Sequence, residues 1–305
     1  MGRLLALLAG ASLATSACAP PSPLEFDSAK AWSHLIKQCD FGPRVPGTDA
    51  HLKARDYIQE AMKQSCDNVR LQEFTHIWSQ TNKKVTMWNI LGDQNWKDAK
   101  TRVVLVAHWD SRPYADQDPG SANRSKPVLG ANDGASGVAV LLELMRVLKG
   151  RHPDLGILYL MTDGEDLGPG LDEMFLGASA FMKSLPDPRP EYGILIDMVG
   201  VKNVRIPMEM NSFGYAESLL RDFYAHAQKI APRTFPMVYG QLIEDDHIPM
   251  NKAGLPTIDL IDFNHLDHWH TVTDTPENCS PESLRAVGQT LESWLTQDPP
   301  YRFKR

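Results

Sequence analysis

The chain has 305 residues, 42% of them hydrophobic and 23% charged, an apolar content that excludes a disordered tail, a collagen or a coiled coil. Its formal charge of −7 comes without any basic stretch, which excludes a nucleic-acid surface built on Lys and Arg. That length suits a single α/β domain with a large core.

Residues 1–18 read as an export signal: Arg3 precedes an apolar run, Leu4 to Ala17, that is too short to span a bilayer, and small residues lead into Cys18. Two outcomes stay open. Cleavage before Cys18 with lipid on its thiol would give a membrane-anchored lipoprotein; cleavage between Ala17 and Ala19 would release the protein to the periplasm or the exterior. Thr15 stands where a lipoprotein signal usually has Leu. Export permits disulfides, and among Cys39, Cys66 and Cys279 the pair Cys39 with Cys66 is the first to test, because each lies near the end of a predicted helix. A Pro-rich linker, residues 19–25, leads into one catalytic domain, residues 26–305.

Residues 28–37 and 49–63 carry apolar side chains at helical spacing, joined by the turn Gly42-Pro43-Arg44-Val45-Pro46-Gly47. Residues 69–78 and 84–91 suit a hairpin. Short aliphatic runs at 103–107, 157–161, 194–196 and 257–261 then alternate with helical segments at 137–148, 175–185, 215–230 and 281–295. Continuous apolar strands separated by helices predict an α/β fold in which a mixed, mostly parallel sheet is covered on both faces.

In such sheets ligands bind at the carboxyl ends of the strands. The sequence places His108-Trp109-Asp110-Ser111, Asp163-Gly164-Glu165-Asp166, Asp197 and His268-Trp269-His270 at or beyond four of those ends. Catalytic zinc takes three protein ligands from His nitrogen and carboxylate oxygen and keeps one position open. His108, Asp133, Asp166, Asp197 and His270 are the candidates, although Asp133 could equally cap the helix that starts near Gly134. Glu165 and Asp166 are adjacent and repel each other, a poor structural choice at a buried strand end unless a cation neutralises one and the other handles a proton.

These residues resemble the zinc aminopeptidase-like superfamily over residues 29–294. Within it, Leu129-Gly130-Ala131-Asn132-Asp133-Gly134-Ala135-Ser136, Asp197-Met198-Val199-Gly200, Ile243-Glu244-Asp245-Asp246-His247-Ile248-Pro249 and Trp269-His270-Thr271 resemble the glutaminyl-peptide cyclotransferases. Those enzymes close an N-terminal Gln into pyroglutamate and release ammonia. The resemblance implies one Zn2+ held by Asp133, Asp166 and His270, Glu165 as proton shuttle, and Asp197 with Asp245 in a carboxylate network beside it. It also implies that Ile243 and Trp269 line the glutamine pocket, and that the partner is a peptide or protein N-terminus bearing Gln. The chain is expected to act as a monomer. Trp269 could instead be a core aromatic, and Asp245 an acid at a helix N-terminus. His108 and Asp110 stand as outer supports or as ligands of a second metal.

Three departures bear on pocket shape. Asp166 replaces the Glu of the animal cyclases, residues 167–174 lack their Trp, and Asp259 stands where they have a His near the zinc. The rival reading is a secreted aminopeptidase with two zinc ions, in which His108 and Asp197 serve the second metal, Asp133 bridges and Glu165 activates water. A non-catalytic scaffold would be expected to have lost a ligand or the shuttle, and here every position is filled.

Overall fold

The computed structural model describes residues 23–303; the predicted export signal and Cys18 lie outside the described residues. Six strands form one sheet: β1 (Asn68–Trp78), β2 (Lys83–Gln94), β3 (Thr101–His108), β4 (Leu155–Thr162), β5 (Tyr192–Asp197) and β6 (Thr257–Ile261), in the order β1-β2-β4-β3-β5-β6. The β1–β2 hairpin and the β2–β4 pairing are antiparallel, whereas β4, β3, β5 and β6 run parallel. The aliphatic runs account for this: β4, β5 and β6 are buried along their whole length and β3 nearly so, as strands covered on both faces must be. Strand β1 alternates exposed and half-buried residues, the pattern of an edge.

Alternate residues of these strands feed two cores. Val103, Leu105, Ala107, Ile157, Tyr159, Ile194 and Ile196 face one side, and Val104, Val106, Leu158, Leu160 and Leu195 face the other. The first side is covered by α1 (Ser28–Asp40), α2 (Asp49–Lys63), α3 (Ala135–Leu148) and α7 (Pro281–Leu295); α4 (Leu176–Met182) and α6 (His247–Lys252) cover the second, and α5 (Met210–Ala227) packs beside β6. Asp27, Thr48 and Ser280 cap α1, α2 and α7 by accepting backbone N–H bonds. Helix α3 is buried on all sides except at Arg146. A Cβ on its Gly137 would lie 2.2 Å from the Ile196 carbonyl oxygen, so glycine is what allows α3 to sit against β5.

All the predicted strands and helices are present, with shifted ends. Helix α5 begins at Met210, earlier than its periodicity indicated, because Glu209 caps it by accepting from the N–H groups of Asn211 and Ser212, and it kinks at Ala216. Helix α6 has only six residues, too few to leave a period in the sequence. Cys39 and Cys66 do not pair; both are free thiols, as is Cys279. Cys66 faces Gly92 of β2, while Cys39 ends α1 within electrostatic reach of Arg44 and Asp274. No helix among the described residues is long and apolar enough to cross a membrane.

Candidate active site

Three adjacent parallel strands, β4, β3 and β5, end side by side and deliver Glu165 and Asp166, His108, and Asp197 to one edge of the sheet. Asp133 reaches them from the loop that opens α3. That loop is fixed from three directions. Arg44, fully buried, donates to the carbonyl oxygens of Trp109 (2.9 Å), Leu129 (2.8 Å) and Gly130 (2.7 Å). The Asp274 carboxylate accepts from the N–H groups of Asn132 (2.8 Å) and Asp133 (3.1 Å). Asn132 Oδ1 accepts from Gly200 and Val201. At Gly134 a Cβ would fall 2.4 Å from His108 Nε2, so only glycine lets the loop close onto that imidazole. Asp133 therefore precedes the helix but points into the cluster, and α3 has no side-chain cap.

Two groups of three ligand-type side chains form here, and Asp133 belongs to both: Asp133 with Asp166 and His270, and His108 with Asp133 and Asp197. His270 Nε2 is 3.6 Å from Asp133 and 3.3 Å from Asp166. His108 Nε2 is 3.0 Å from Asp133 and 3.1 Å from Asp197. Both His270 and Met198, which follows Asp197, have left-handed backbones with φ of 52° and 50°, the kind of local strain that collects at functional sites. Asp110 belongs to neither group. Its two oxygens accept from the backbone N–H groups of Glu165 and Asp166, each at 3.2 Å, so it shapes the acid-pair loop.

Five contributors were invisible in the sequence. Besides Arg44 and Asp274, Arg112 donates to Asp166 Oδ1 (2.8 Å) and grips Asp116 with Nε and Nη2, and Asp116 in turn faces His270 Nδ1 at 3.5 Å. Behind the loop, His51 of α2 stacks on Trp109 at 4.3 Å and its Nε2 lies 2.9 Å from both oxygens of Asp163, two residues before Glu165.

The cluster holds more negative charge than its own cations balance. Asp133, Glu165, Asp166, Asp197 and Asp245 are all buried, and isolated buried charges are costly. Burial, opposed by His108 but reinforced by Asp166 and Asp245, pushes Glu165 well above the carboxylate range. Burial and then Asp197 do the same to Asp245. Burial would lower His270, but Asp166, Asp116 and Asp133 lift it to about 9. Asp166 Oδ2 has no hydrogen-bond partner. Two carboxylates and an imidazole with an unmatched oxygen suit a divalent cation.

A cavity of about 370 Å³ opens over these groups, with Glu165, Asp197, Asp245, Ile243 and Trp269 in its wall. Trp269 stacks on His270 at 3.9 Å and meets Phe263 edge-on at 5.2 Å, so it supports the imidazole and lines the cavity at once. Asp245 likewise answers both of its readings. It stands just ahead of α6 with Oδ1 accepting from the Asp246 N–H (2.5 Å), and it faces the cavity with Oδ2 unpartnered. Asp259 lies behind the wall on β6, fully buried, 3.8 Å from His247 Nδ1. A larger cavity of about 560 Å³, lined by Lys202, Arg205 and Arg233, contains none of these groups.

Comparison with known proteins fits this geometry. The sequence profile of peptidase family M28 matches residues 89–295, more than half of the chain. The chain belongs to peptidase family M28. Two crystal structures from Bacteroides thetaiotaomicron superpose with a TM-score of 0.85 at 33% identity, covering 90% of this chain and 98% of theirs. One is described as a leucine aminopeptidase precursor and the other as a glutaminyl cyclase bound to N-acetylhistamine. The glutaminyl-peptide cyclotransferase of Bos taurus is 24% identical over 288 residues, 83% of this chain and 78% of that one.

Proposed function

We propose that this M28 protein is a zinc-dependent glutaminyl-peptide cyclotransferase that converts an N-terminal Gln to pyroglutamate with release of ammonia. The observation that carries the reading is the single cavity that joins Glu165, Asp197 and Asp245 to the Asp133–Asp166–His270 group and gives them Trp269 and Ile243 as an apolar wall. Zinc held by Asp133, Asp166 and His270 would supply Lewis acidity toward the γ-amide carbonyl of the substrate.

The rest is done by the chain. Glu165 accepts a proton from the α-amine as that nitrogen bonds to the γ-amide carbon, then returns it to the amide nitrogen as the carbon–nitrogen bond breaks and ammonia departs. A carboxyl raised by burial is suited to both halves of that exchange. Asp166 and Asp245 favour the protonated shuttle by repulsion, and Asp197 shares the same wall. Nucleophile and electrophile belong to one residue, so the main geometric task is to fold the Gln side chain back on its amine. Trp269 and Ile243 limit the room in which it can do otherwise.

One observation favours a second reading: His108, Asp133 and Asp197 form an equally compact group, as a two-zinc aminopeptidase requires. Metal content and product decide between them. The cyclase releases ammonia from Gln-peptides and liberates no amino acid; rapid cleavage of Leu-amides with two zinc ions per chain, and no cyclisation above the spontaneous rate, would replace it with the peptidase. Export through residues 1–18 remains part of the proposal and is checked by the N-terminal residue and lipid content of the mature protein.

A further inference from the structure

We propose that Leu171 and Leu242 form a subsite at the mouth of the cavity for a large apolar side chain on the second residue of the peptide, so that the substrates are of the Gln-Phe or Gln-Leu class. The assignment of Gln to the first position rests on the cyclase reading above. Both leucines are well exposed, Leu171 at 57% and Leu242 at 72%, yet both belong to the wall of the cavity that contains Glu165 and Trp269. Of the large apolar side chains that are exposed among the described residues, only these two do so.

Neither leucine is exposed because its loop is loose. Leu171 opens a short 3-10 turn, Leu171–Glu173, whose buried Glu173 accepts from the Ser79 N–H (2.8 Å) and lies 2.9 Å from His76 Nε2. Leu242 sits between two anchored neighbours. Gln241 Nε2 donates to the Phe263 carbonyl (3.0 Å), and Ile243 donates its N–H to Glu209 (2.9 Å) and accepts from Asn211 Nδ2 (2.7 Å). Two rigidly held apolar side chains in water gain burial only when something apolar passes between the cavity and solvent. A peptide whose first residue is at the acidic floor must leave by this mouth, and its second side chain is the first to reach the rim. Glu244, an exposed acid on the cavity wall, disfavours an acidic residue at that place, whereas the charge of Asp116 is taken up by Arg112.

The test compares kcat/KM for Gln-Phe-amide, Gln-Gly-amide and Gln-Glu-amide by ammonia release. Hydrophobic sites discriminate by roughly 10–200-fold, and an open rim belongs near the low end, so Phe is expected to exceed Gly by about tenfold, with Glu below Gly. The double variant Leu171→Ser, Leu242→Ser should bring Phe to within about twofold of Gly, Leu242→Lys should raise Glu relative to Phe, and Ile77→Ser, an exposed residue on β1, should change no ratio. Calorimetric binding of the same amides to the Glu165→Gln protein reads the rim without turnover. A flat Phe-to-Gly ratio in both measurements, or a ratio that survives the double variant, overturns the subsite. Absence of ammonia from every peptide, with the binding ratio intact, overturns the cyclase reading and leaves the subsite standing.

Discussion

Arg44 gives the sharpest test of how the fold holds the site, because a residue outside the cavity should control metal affinity through three hydrogen bonds. Arg44→Met keeps much of the buried volume but leaves the carbonyl oxygens of Trp109, Leu129 and Gly130 without their donor. A buried polar group stripped of its partner costs about 1–3 kcal/mol. Carbonyls tolerate partial satisfaction better than N–H groups do, and Gly130 still accepts from the Ala135 N–H (3.2 Å), so the sum for the three is about 3–5 kcal/mol. For a domain of this size each kcal/mol shifts the melting temperature by roughly 2 °C, so a fall of about 6–10 °C is expected by differential scanning calorimetry of the metal-free protein. Because Gly130 and Asp133 share one tight loop, zinc affinity should also weaken by the ~10–100-fold typical of lost outer support. Arg44→Lys, a single charged point where a planar fork is needed, should fall between the two proteins. A loss under about 1 kcal/mol with unchanged zinc affinity would show that the loop is held by Asp274 and Asn132 alone.

Glu165→Gln should retain fold and zinc yet lose at least about two orders of magnitude in kcat; near-normal turnover would remove Glu165 from the reaction. In equilibrium dialysis, Asp133→Ala and His270→Ala should abolish tight zinc binding, whereas His108→Ala should largely spare one ion; two tightly held ions, both required for activity, would contradict the one-metal site. Asp116→Asn should weaken zinc by about 10–100-fold through His270 and Arg112, with little change in melting temperature of the metal-free protein. The reactive form of the substrate is its neutral α-amine, which titrates near ~7.7–8.0, so kcat/KM should rise through neutral pH and level off above ~8, and acetylation of that amine should abolish the reaction.

The parts of the molecule legible in the sequence are those whose cause is local. Runs such as Val103 to Ala107 are buried on both faces and therefore lack alternation, and the polar residues at their ends had to emerge at the same sheet edge once the strands were parallel. The unread parts have causes far away in the chain. Arg44 meets its acceptors 65 to 86 residues later, and Asp274 meets its donors 141 and 142 residues earlier. Since those partners are backbone atoms, no residue type at 129–133 announces them. Asp110 shows how far residue type alone carries. Its type and position allowed either an outer support or a ligand of a second metal, and its oxygens accept from the backbone N–H groups of Glu165 and Asp166, an arrangement that depends on loop geometry and not on composition.

The shared Asp133 explains why one scaffold can serve two chemistries. Its Oδ2 faces His270 and its Oδ1 faces His108, so whatever binds at one group fixes the carboxylate for the other. In the arrangement seen here His108 Nε2 lies between Asp133 and Asp197 at nearly equal distances, and a proton on that nitrogen satisfies both acids without a second ion. In the two-zinc reading that imidazole would be a ligand of the second metal, which would share in activating the water. A cyclase has no water to deliver, since the nucleophile arrives as part of the substrate. Keeping His108 as a bridging donor then stabilises Asp133 and Asp197 with little penalty in chemistry. That retention is why the identities of His108 and Asp197 cannot separate the two activities, and why the product released from a Gln-peptide can.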